Sequence, residues 1–446
     1  MKNHLRELGV EIPKIMLPNK TVNMEKWSVV ACDQYTSQPE YWSAVANFVG
    51  NSSSTLKMIL PEIYLGDNND SRIENINRTM KQYIDGNVLV SQDSGFILVE
   101  RKTSNCPSRK GLILALDLEK YDYSEDSQTL IRATEGTVLD RLPPRVKIRE
   151  NALLEIPHIT ILIDDPGKTV IEPLFKKVST FEKLYDFDLM MEGGHIRGYL
   201  VDDIESVSSV FGALDKLIDK DVFKSRYGAG EDKEILLFAV GDGNHSLAAA
   251  KVCWENIKKT LSDCEKSEHP ARYALVEVQN IHDDFLNFEP IFRVAFNIDE
   301  KDMLNALEDF FKNKPVLYSE KSSVEDAAAE LRKDKNIHVI SFVMCERYGI
   351  IVNNNPKSTL EVASLQAFLD EYQKSHTDIE IDYIHGRDVL ESLGEKKGNI
   401  GFYTLPLDKK DLFKTIIKDG ILPRKTFSMG EASEKRFYLE CRQIKT

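Results

Sequence analysis

The spacing of apolar residues divides the first two thirds of the chain into strand-like and helix-like segments. Short apolar runs bounded by polar turns predict strands, and apolar residues three or four positions apart predict amphipathic helices. We expect helices over 70–84 and from about 247 to about 264, with alternating helix and strand between 168 and 234. The predicted strands lie at 27–32, 96–101, 111–116, 152–164, 235–240 and 273–278.

From residue 298 the two patterns alternate more regularly. Predicted helices lie at 300–313, 323–333, 359–374, 387–394 and 408–418, and predicted strands at 337–344, 348–353, 378–384, 399–406 and 436–442. This alternation, closed by a strand, indicates a separate α+β unit. The chain is therefore expected to have a mixed α/β (α+β) fold in three regions, 1–200, 201–297 and 298–446.

Composition, with 42% hydrophobic and 29% charged residues, describes a soluble globular protein. Its 446 residues exceed one ordinary domain, and the net charge of −14 argues against a nucleic-acid or anionic-membrane surface. The apolar runs are far shorter than the ~20 residues that cross a bilayer. Six scattered cysteines without a Cys-x-x-Cys pair indicate reduced thiols and a cytoplasmic location. The oligomeric state is left open.

One strand, turn and helix stand out as a candidate site. The apolar run Ile235–Val240 precedes the polar turn Gly241–Ser246, and an Ala-rich helix begins at about Leu247. The N–H groups at a helix start, with the positive end of the helix dipole, suit an anion such as phosphate. The alternative is an ordinary helix cap, which needs one polar residue. Four polar side chains in five positions favour a functional turn, with Asp242 and His245 available for chemistry.

A second candidate is the basic segment 132–149, which holds five cations and two acids in an acidic chain. Spacing by two would place Arg145, Lys147 and Arg149 on one face of a strand, where they need an anion or acidic partners. A solvated edge strand is the alternative. Three polar segments carry weaker signals, and each is more often an ordinary turn or loop: Glu192–Arg197, Asn280–Asp284 and Pro423–Ser428.

Several common catalytic signatures are absent from the sequence. It contains no Gly-x-x-x-x-Gly-Lys-Ser/Thr, Gly-x-Gly-x-x-Gly, Gly-x-Ser-x-Gly or His-Glu-x-x-His. The Gly-Asn-His turn is similar to the metal-ligand turn of calcineurin-like phosphoesterases. Those enzymes also need Asp-x-His, and none of the nine histidines has an Asp two residues before it. A phosphoesterase of that type is therefore excluded.

Three segments together resemble a large bacterial family known as domain of unknown function 1015. They are Gly241–Ser246, Arg132-Ala-Thr-Glu-Gly-Thr137 and Pro423-Arg-Lys-Thr426. The resemblance covers nearly the whole chain from the turn at Asp33-Gln34-Tyr35, and its most specific part is residues 242–245. Many members have Asp-Gly-His-His-Arg there, whereas this chain has Asn244 and Ser246. A Gly-x-His-Arg turn at a helix start is also similar to that of the ParB and sulfiredoxin fold, which free serine kinases share.

The resemblance implies a ParB- or sulfiredoxin-like core and a nucleotide-dependent kinase of a small hydroxy metabolite, with free serine first. ATP or ADP and Mg²⁺ are the implied cofactors. On this hypothesis Glu135 accepts the proton of the substrate hydroxyl. Either Asp242 or His245 orients the metal or the leaving phosphate, and Asp242 is the expected metal ligand. The residues expected to bind phosphoryl or substrate carboxylate oxygens are Gly241, Gly243, Asn244, Ser246, Arg132, Arg141 and Arg145.

Two other functions stay open at this point. The same turn serves in proteins that bind a nucleotide or small anion without turnover, so a regulatory binding protein is the main alternative. A metal-dependent hydrolase using Asp242, His245 and a loop carboxylate is the third.

Overall fold

The computed structural model describes residues 6–66, 69–230 and 232–445. The chain divides into two compact units: unit 1 comprises Met1–Asn287 with Met429–Thr446, and unit 2 comprises Phe288–Ser428. These units differ from the three regions expected from the sequence. Strands before and after residue 200 share one sheet, so no boundary falls there, and the last segment of the chain returns to unit 1.

The described residues form helices and strands that we number in chain order. The helices are α1 (Met24–Trp27), α2 (Pro39–Val49), α3 (Asp70–Asp85), α4 (Leu142–Arg149), α5 (Glu172–Lys176), α6 (Ile204–Leu217), α7 (Lys220–Tyr227), α8 (Asn244–Ile257), α9 (Asp263–Glu268), α10 (Glu300–Phe311), α11 (Lys321–Leu331), α12 (Glu361–Ser375), α13 (Arg387–Gly394) and α14 (Leu412–Asp419).

The strands are mostly short. They are β1 (Val10–Glu11), β2 (Met16–Pro18), β3 (Val29–Val30), β4 (Leu89–Ser91), β5 (Phe96–Lys102), β6 (Arg109–Asp117), β7 (Tyr121–Asp122), β8 (Ile131–Ala133), β9 (Leu154–Glu155), β10 (Thr160–Ile163), β11 (Glu182–Asp188), β12 (His195–Val201), β13 (Phe238–Asp242), β14 (Tyr273–Asn280), β15 (Glu289–Pro290), β16 (Phe292–Phe296), β17 (Val316–Tyr318), β18 (His338–Met344), β19 (Arg347–Asn353), β20 (Glu380–Ile384), β21 (Ile400–Phe402), β22 (Phe427–Ser428), β23 (Phe437–Tyr438) and β24 (Arg442–Gln443).

Unit 1 is built on a ten-stranded mixed sheet. Its order is β11-β12-β5-β6-β14-β10-β13-β8-β7, with β1 also paired to β6. Alternate residues of β5 enter different cores: Leu98 packs in one apolar cluster, and Ile97 and Val99 in the other. Because both faces of the sheet are covered, its central strands have the continuous apolar runs seen in the sequence. The expected mixed α/β class is confirmed.

Unit 2 contains a six-stranded sheet in the order β17-β19-β18-β21-β16-β20. Helices α10 and α12 pack against its strands and share an apolar cluster with them. The alternation expected after residue 298 is thus observed, although the strand expected at 399–406 is shorter. Among the helices of the described ranges, none is both long and apolar enough to cross a bilayer.

One predicted element is wrong: residues 145–149 are helical, not a strand. Helix α4 begins at Leu142 with proline in its first turn, where a missing N–H costs no intrahelical bond. Spacing by two therefore does not align the three cations. Arg145 and Arg149 are four residues apart and both line one cavity, whereas Lys147 pairs with Asp70.

The segment that follows unit 2 returns to unit 1 and is held by buried charges. Strand β23 pairs with β3, and β24 with β9. Just before β23, the buried Arg436 forms ion pairs with Glu277 of β14 and with Glu440. The absence of a side chain at Gly111 makes room for the Glu277 carboxylate, which a Cβ there would meet. The predicted strand at 436–442 is therefore two short strands that complete unit 1.

We predict that Arg436→Met destabilises unit 1 by about 3–5 kcal/mol, because Glu277 and Glu440 would stay buried without their cation. Urea unfolding followed by circular dichroism measures the loss. The matched control is Lys374→Met, which removes an exposed cation that pairs with Glu371 on α12. It should leave the unfolding midpoint unchanged, and equal losses in the two variants would contradict this view of Arg436.

Candidate functional site

The predicted strand, turn and helix are present, with shifted bounds. Strand β13 ends at Asp242, and α8 begins at Asn244, three residues earlier than expected. Gly243 joins them with φ +83°, a left-handed conformation that favours glycine, and a Cβ there would lie 3.1 Å from Cα of Ile159. The bond from Leu247 N–H to the Gly243 carbonyl closes the first helical turn at 3.0 Å. The earlier N–H groups of α8 have no intrahelical acceptor and face the turn.

Asp242 and Lys435 form the charged pair of this turn. Nζ of Lys435 lies 3.1 Å from Oδ2 of Asp242, and the N–H of Gly243 donates to Oδ1 at 2.9 Å. Burial opposes ionisation of this carboxyl, but the charges of Lys435 and His158 outweigh burial and hold the pKa of Asp242 below its usual range. Lys435 is thereby placed beside the helix N-terminus, where it adds positive charge.

His158 lies on the other side of the turn. Its ring is buried, its Nδ1 is 2.8 Å from the Tyr438 hydroxyl, and its Nε2 is 3.3 Å from Oγ of Ser246. A carboxylate oxygen of Asp33 lies 3.8 Å from the same Nε2. Burial, with the neighbouring Cys32, raises the pKa of Tyr438 well above its usual value, so its hydroxyl keeps its proton. The imidazole is thus oriented toward the first turn of α8.

The loop after β8 meets the same turn. Strands β8 and β13 are parallel, with Ala133 opposite Val240, so both chains leave the sheet at one edge. Oγ1 of Thr134 donates to the Val240 carbonyl at 2.6 Å, and the N–H of Val138 donates to Nε2 of His245 at 3.2 Å. The structure therefore brings residues 134–138, which include Glu135, to the turn at 241–246.

Two buried polar atoms in these segments have no hydrogen-bond partner within the described ranges. They are Oδ1 of Asn244 and Oγ1 of Thr137. Buried polar atoms are bonded in the great majority of native sites, so unpaired ones mark places where a ligand or water completes the bonding. An amide oxygen accepts, and a hydroxyl both donates and accepts. Together they suit a polar ligand at the mouth of α8.

The three arginines predicted to bind the anion have other partners in the structure. Arg132 is buried in β8, and its guanidinium donates at 2.8 Å to the carbonyls of Thr129 and Glu234. Burial lowers the pKa of Arg132 to about 10. The side chain of Arg141 is exposed, and Arg145 forms an ion pair with Glu62. Of these three, Arg145 approaches the turn by lining the cavity that Ser246 also lines.

A cavity of about 140 Å³ lies against the first turns of α8. Ser246, His158 and Arg145 line its polar side, while Met80 and Ile148 contribute to a largely apolar wall. Helix α4 packs against α8 and forms part of this wall. The space therefore adjoins the first turn of α8, through Ser246.

Sequence reasoning missed Lys435, His158 and Tyr438. Local signals for them were faint: His158 is a polar residue inside the apolar run 152–164, and Lys435 precedes a predicted strand. Within the described ranges, no group of three or more His, Cys, Asp or Glu could hold a metal ion.

Comparison with known proteins identifies the family. The profile of the family described as protein of unknown function (DUF1015) matches residues 16–372, and the chain belongs to that family. No curated protein matches the chain.

Solved structures similar to this one include free serine kinases. A variant in complex with AMP is 10% identical with a TM-score of 0.40, covering 77% of this chain and 95% of that one. A variant in complex with ADP is 11% identical with a TM-score of 0.39, covering 78% and 95%. A conserved hypothetical protein from Pyrococcus furiosus is 12% identical with a TM-score of 0.35, covering 73% and 90%. Values this low establish no chemistry for this chain.

We predict opposite effects of alanine at two glycines. Gly243→Ala should cost about 1–3 kcal/mol, since it forces a left-handed residue and crowds Ile159. Gly212→Ala, inside α6 with open space around the added methyl group, should stabilise by about 0.5–1 kcal/mol. Thermal unfolding of both variants measures the contrast. Equal effects of the two changes would show that Gly243 has no special conformation.

We also predict a pH dependence of the Asp242–Lys435 pair. Because the folded-state pKa of Asp242 lies below its ordinary value of 3.8, its stabilising effect is complete above that value and is lost as the pH falls through the lowered pKa. The free-energy difference between wild type and Asp242→Asn should therefore be largest near neutral pH and shrink below about pH 4. Lys435→Gln should reduce this pH dependence. A difference that grows on acidification would contradict the charge pair.

Proposed function

We propose that this protein is a nucleotide-dependent kinase that phosphorylates the hydroxyl of a small metabolite, with free serine as the first acceptor to test. The observation that carries the proposal is the meeting of three features at one place. These are the N–H groups at the start of α8, the ammonium of Lys435 and the backbone of the 134–138 loop, which contacts His245 through Val138. Phosphoryl transfer depends mainly on positioning and neutralising phosphate oxygens, and this arrangement provides both.

The nucleotide phosphates are assigned to the turn at the start of α8. The turn residues Gly241, Gly243, Asn244 and Ser246 offer backbone N–H groups and small polar side chains to an anion. In this proposal Lys435 supplies the positive charge that the sequence had assigned to arginines. Its position 3.1 Å from Asp242 supports the role, because phosphate oxygens next to the turn would lie within reach of the same ammonium.

Asp242 and Asn244 fit the oxygen ligands that Mg²⁺ prefers. Mg²⁺ is commonly held by one or two carboxylates together with substrate phosphates, and keeps several waters. Asp242 would be its protein ligand, and the unpaired Oδ1 of Asn244 would accept a hydrogen bond from a coordinated water. When bound, the ion would supply charge neutralisation of the phosphates. Such an ion arrives with the nucleotide and needs no three-residue metal centre.

The transfer itself needs a proton acceptor near the substrate hydroxyl. The hydroxyl oxygen forms a bond to the terminal phosphorus, the bond from phosphorus to the nucleotide oxygen breaks, and the hydroxyl proton passes to a carboxylate. We assign that role to Glu135, which follows β8 at the edge where β13 ends. His245 accepts a hydrogen bond from the Val138 N–H at Nε2, which holds its ring beside the 134–138 loop. In this proposal it would orient the leaving phosphate.

The test is an activity assay on the full chain. Purified protein is incubated with Mg-ATP or Mg-ADP and a panel of hydroxy amino acids that includes L-serine, and phosphorus NMR follows the products. We expect a new phosphomonoester resonance for at least one acceptor. Nucleotide binding without turnover on any acceptor would refute the kinase.

Variants of the turn test the assigned roles. Lys435→Gln should lower kcat/KM by about 10²–10³, the usual effect of losing one group that stabilises the transition state. His245→Ala should abolish activity without unfolding the protein. The matched control is Lys374→Gln, which should keep full activity. Full activity of the Lys435 variant would remove this turn from catalysis.

A non-catalytic anion-binding protein is the second candidate. It is favoured by one observation: Asp242 already has two partners, Lys435 and the N–H of Gly243, so the turn is stable as it stands. On this alternative the turn binds nucleotide, Lys435→Gln weakens binding, and no phosphorylated product forms.

A further inference from the structure

A second cavity, of about 380 Å³, lies in unit 1 and is lined by none of the residues assigned above. It is formed by the segment 6–16, the start of β14 and the chain around β24. Its volume is within the range of small-molecule sites, about 300–1,000 Å³. The lining of this cavity is rich in cationic side chains, although the chain as a whole has a net charge of −14. The charged residues that line it are Arg6, Lys14, Arg442 and Lys445, with Glu11 and Glu268.

Two donors on the wall of this cavity lack acceptors within the described ranges. The Tyr273 side chain is 5% exposed, and its hydroxyl is buried without a hydrogen-bond partner. Nε of Arg6 is also buried and has none. A guanidinium N–H can only donate, so the missing partner of Arg6 is an acceptor, and the tyrosine hydroxyl can serve the same acceptor group. Two unpaired donors on one wall indicate an oxygen-rich ligand.

The wall is held in place by bonds that leave these donors free. Arg442 donates from Nε to Glu155 at 2.6 Å and from Nη2 to the Tyr273 carbonyl at 2.5 Å. Arg6 donates from Nη2 to the Ser267 carbonyl at 3.2 Å and to Glu268 at 2.5 Å. Both guanidinium groups are therefore oriented before any ligand arrives, which reduces the entropy cost of binding.

We propose that this cavity binds a small oxyanion, the carboxylate or phosphate group of a metabolite. Its oxygens accept from the Tyr273 hydroxyl and from Nε of Arg6, and the ammonium groups of Lys14 and Lys445 balance its charge. This site is independent of the proposed kinase site, because none of its lining residues belongs to the turn or the 134–138 loop.

The test reads Tyr273 directly. Protein labelled with 3-fluorotyrosine is titrated with inorganic phosphate and, separately, with citrate, and fluorine NMR follows the resonance that is missing from Tyr273→Phe. A saturable shift with phosphate alone assigns the site to phosphate groups, and one with citrate alone assigns it to carboxylates. No shift with either anion up to about 10 mM, tenfold above a 1 mM Kd, overturns the proposal.

Charge variants separate this site from the turn. The double variant Lys14→Gln, Lys445→Gln should raise the midpoint of the Tyr273 shift by about tenfold, which corresponds to 1.4 kcal/mol. The matched control Lys57→Gln, Lys216→Gln removes two lysines outside the cavity and should leave the midpoint unchanged. Lys435→Gln should also leave it unchanged. A loss of the shift in Lys435→Gln would place the anion at the turn of α8 and overturn the second site, whatever the result of the kinase assay.

Discussion

The buried ion pairs of Arg436 are the interaction on which the candidate site depends. They tie the segment after unit 2 to Glu277 of the central sheet. The neighbours of Arg436 in the chain then reach the turn of α8: Lys435 pairs with Asp242, and Tyr438 orients His158. A charged residue removed from water needs its partner, since breaking such a pair leaves a buried carboxylate without compensation. The same short segment therefore supplies both the anchor in the core and the cation of the site.

Much of the secondary structure could be predicted from the sequence, because long periodic segments carry a strong signal. The helix expected over 70–84 is Asp70–Asp85, and the strands expected at 96–101 and 111–116 are β5 and β6. The error at 145–149 has a physical cause. Charges spaced by two imitated a strand, while Leu142 and Val146, four residues apart, and proline at the helix start were the better guides. The limits of the two units were less predictable, because residues 429–446 follow unit 2 in the sequence but belong to unit 1.

The candidate site could be predicted only in its local part. The turn at 241–246 was visible because a strand, glycines, polar residues and a helix follow one another in the sequence. The turn meets the 134–138 loop because β8 and β13 pair in parallel. The two strands are far apart in the sequence, so no residue spacing reveals that they pair. Lys435 and His158 have no local pattern, and they meet only because the Arg436 ion pairs and the Tyr438–His158 hydrogen bond hold the last segment against the sheet. The local charge of the basic segment led to a wrong expectation for Arg132. Its guanidinium donates to backbone carbonyls instead of facing an anion site.

The split of unit 1 around unit 2 has a consequence for protein synthesis. A ribosome makes residues 288–428 before 429–446, on the order of ten seconds at about 5–20 residues per second. During that interval Glu277 lacks its ion pair with Arg436, which leaves Gln279 and the weaker charges of Arg109 and Arg101 to offset its burial. The nascent first unit is therefore expected to stay incompletely packed while the inserted unit folds, and a chain stalled before residue 429 should be a substrate for chaperones and proteases.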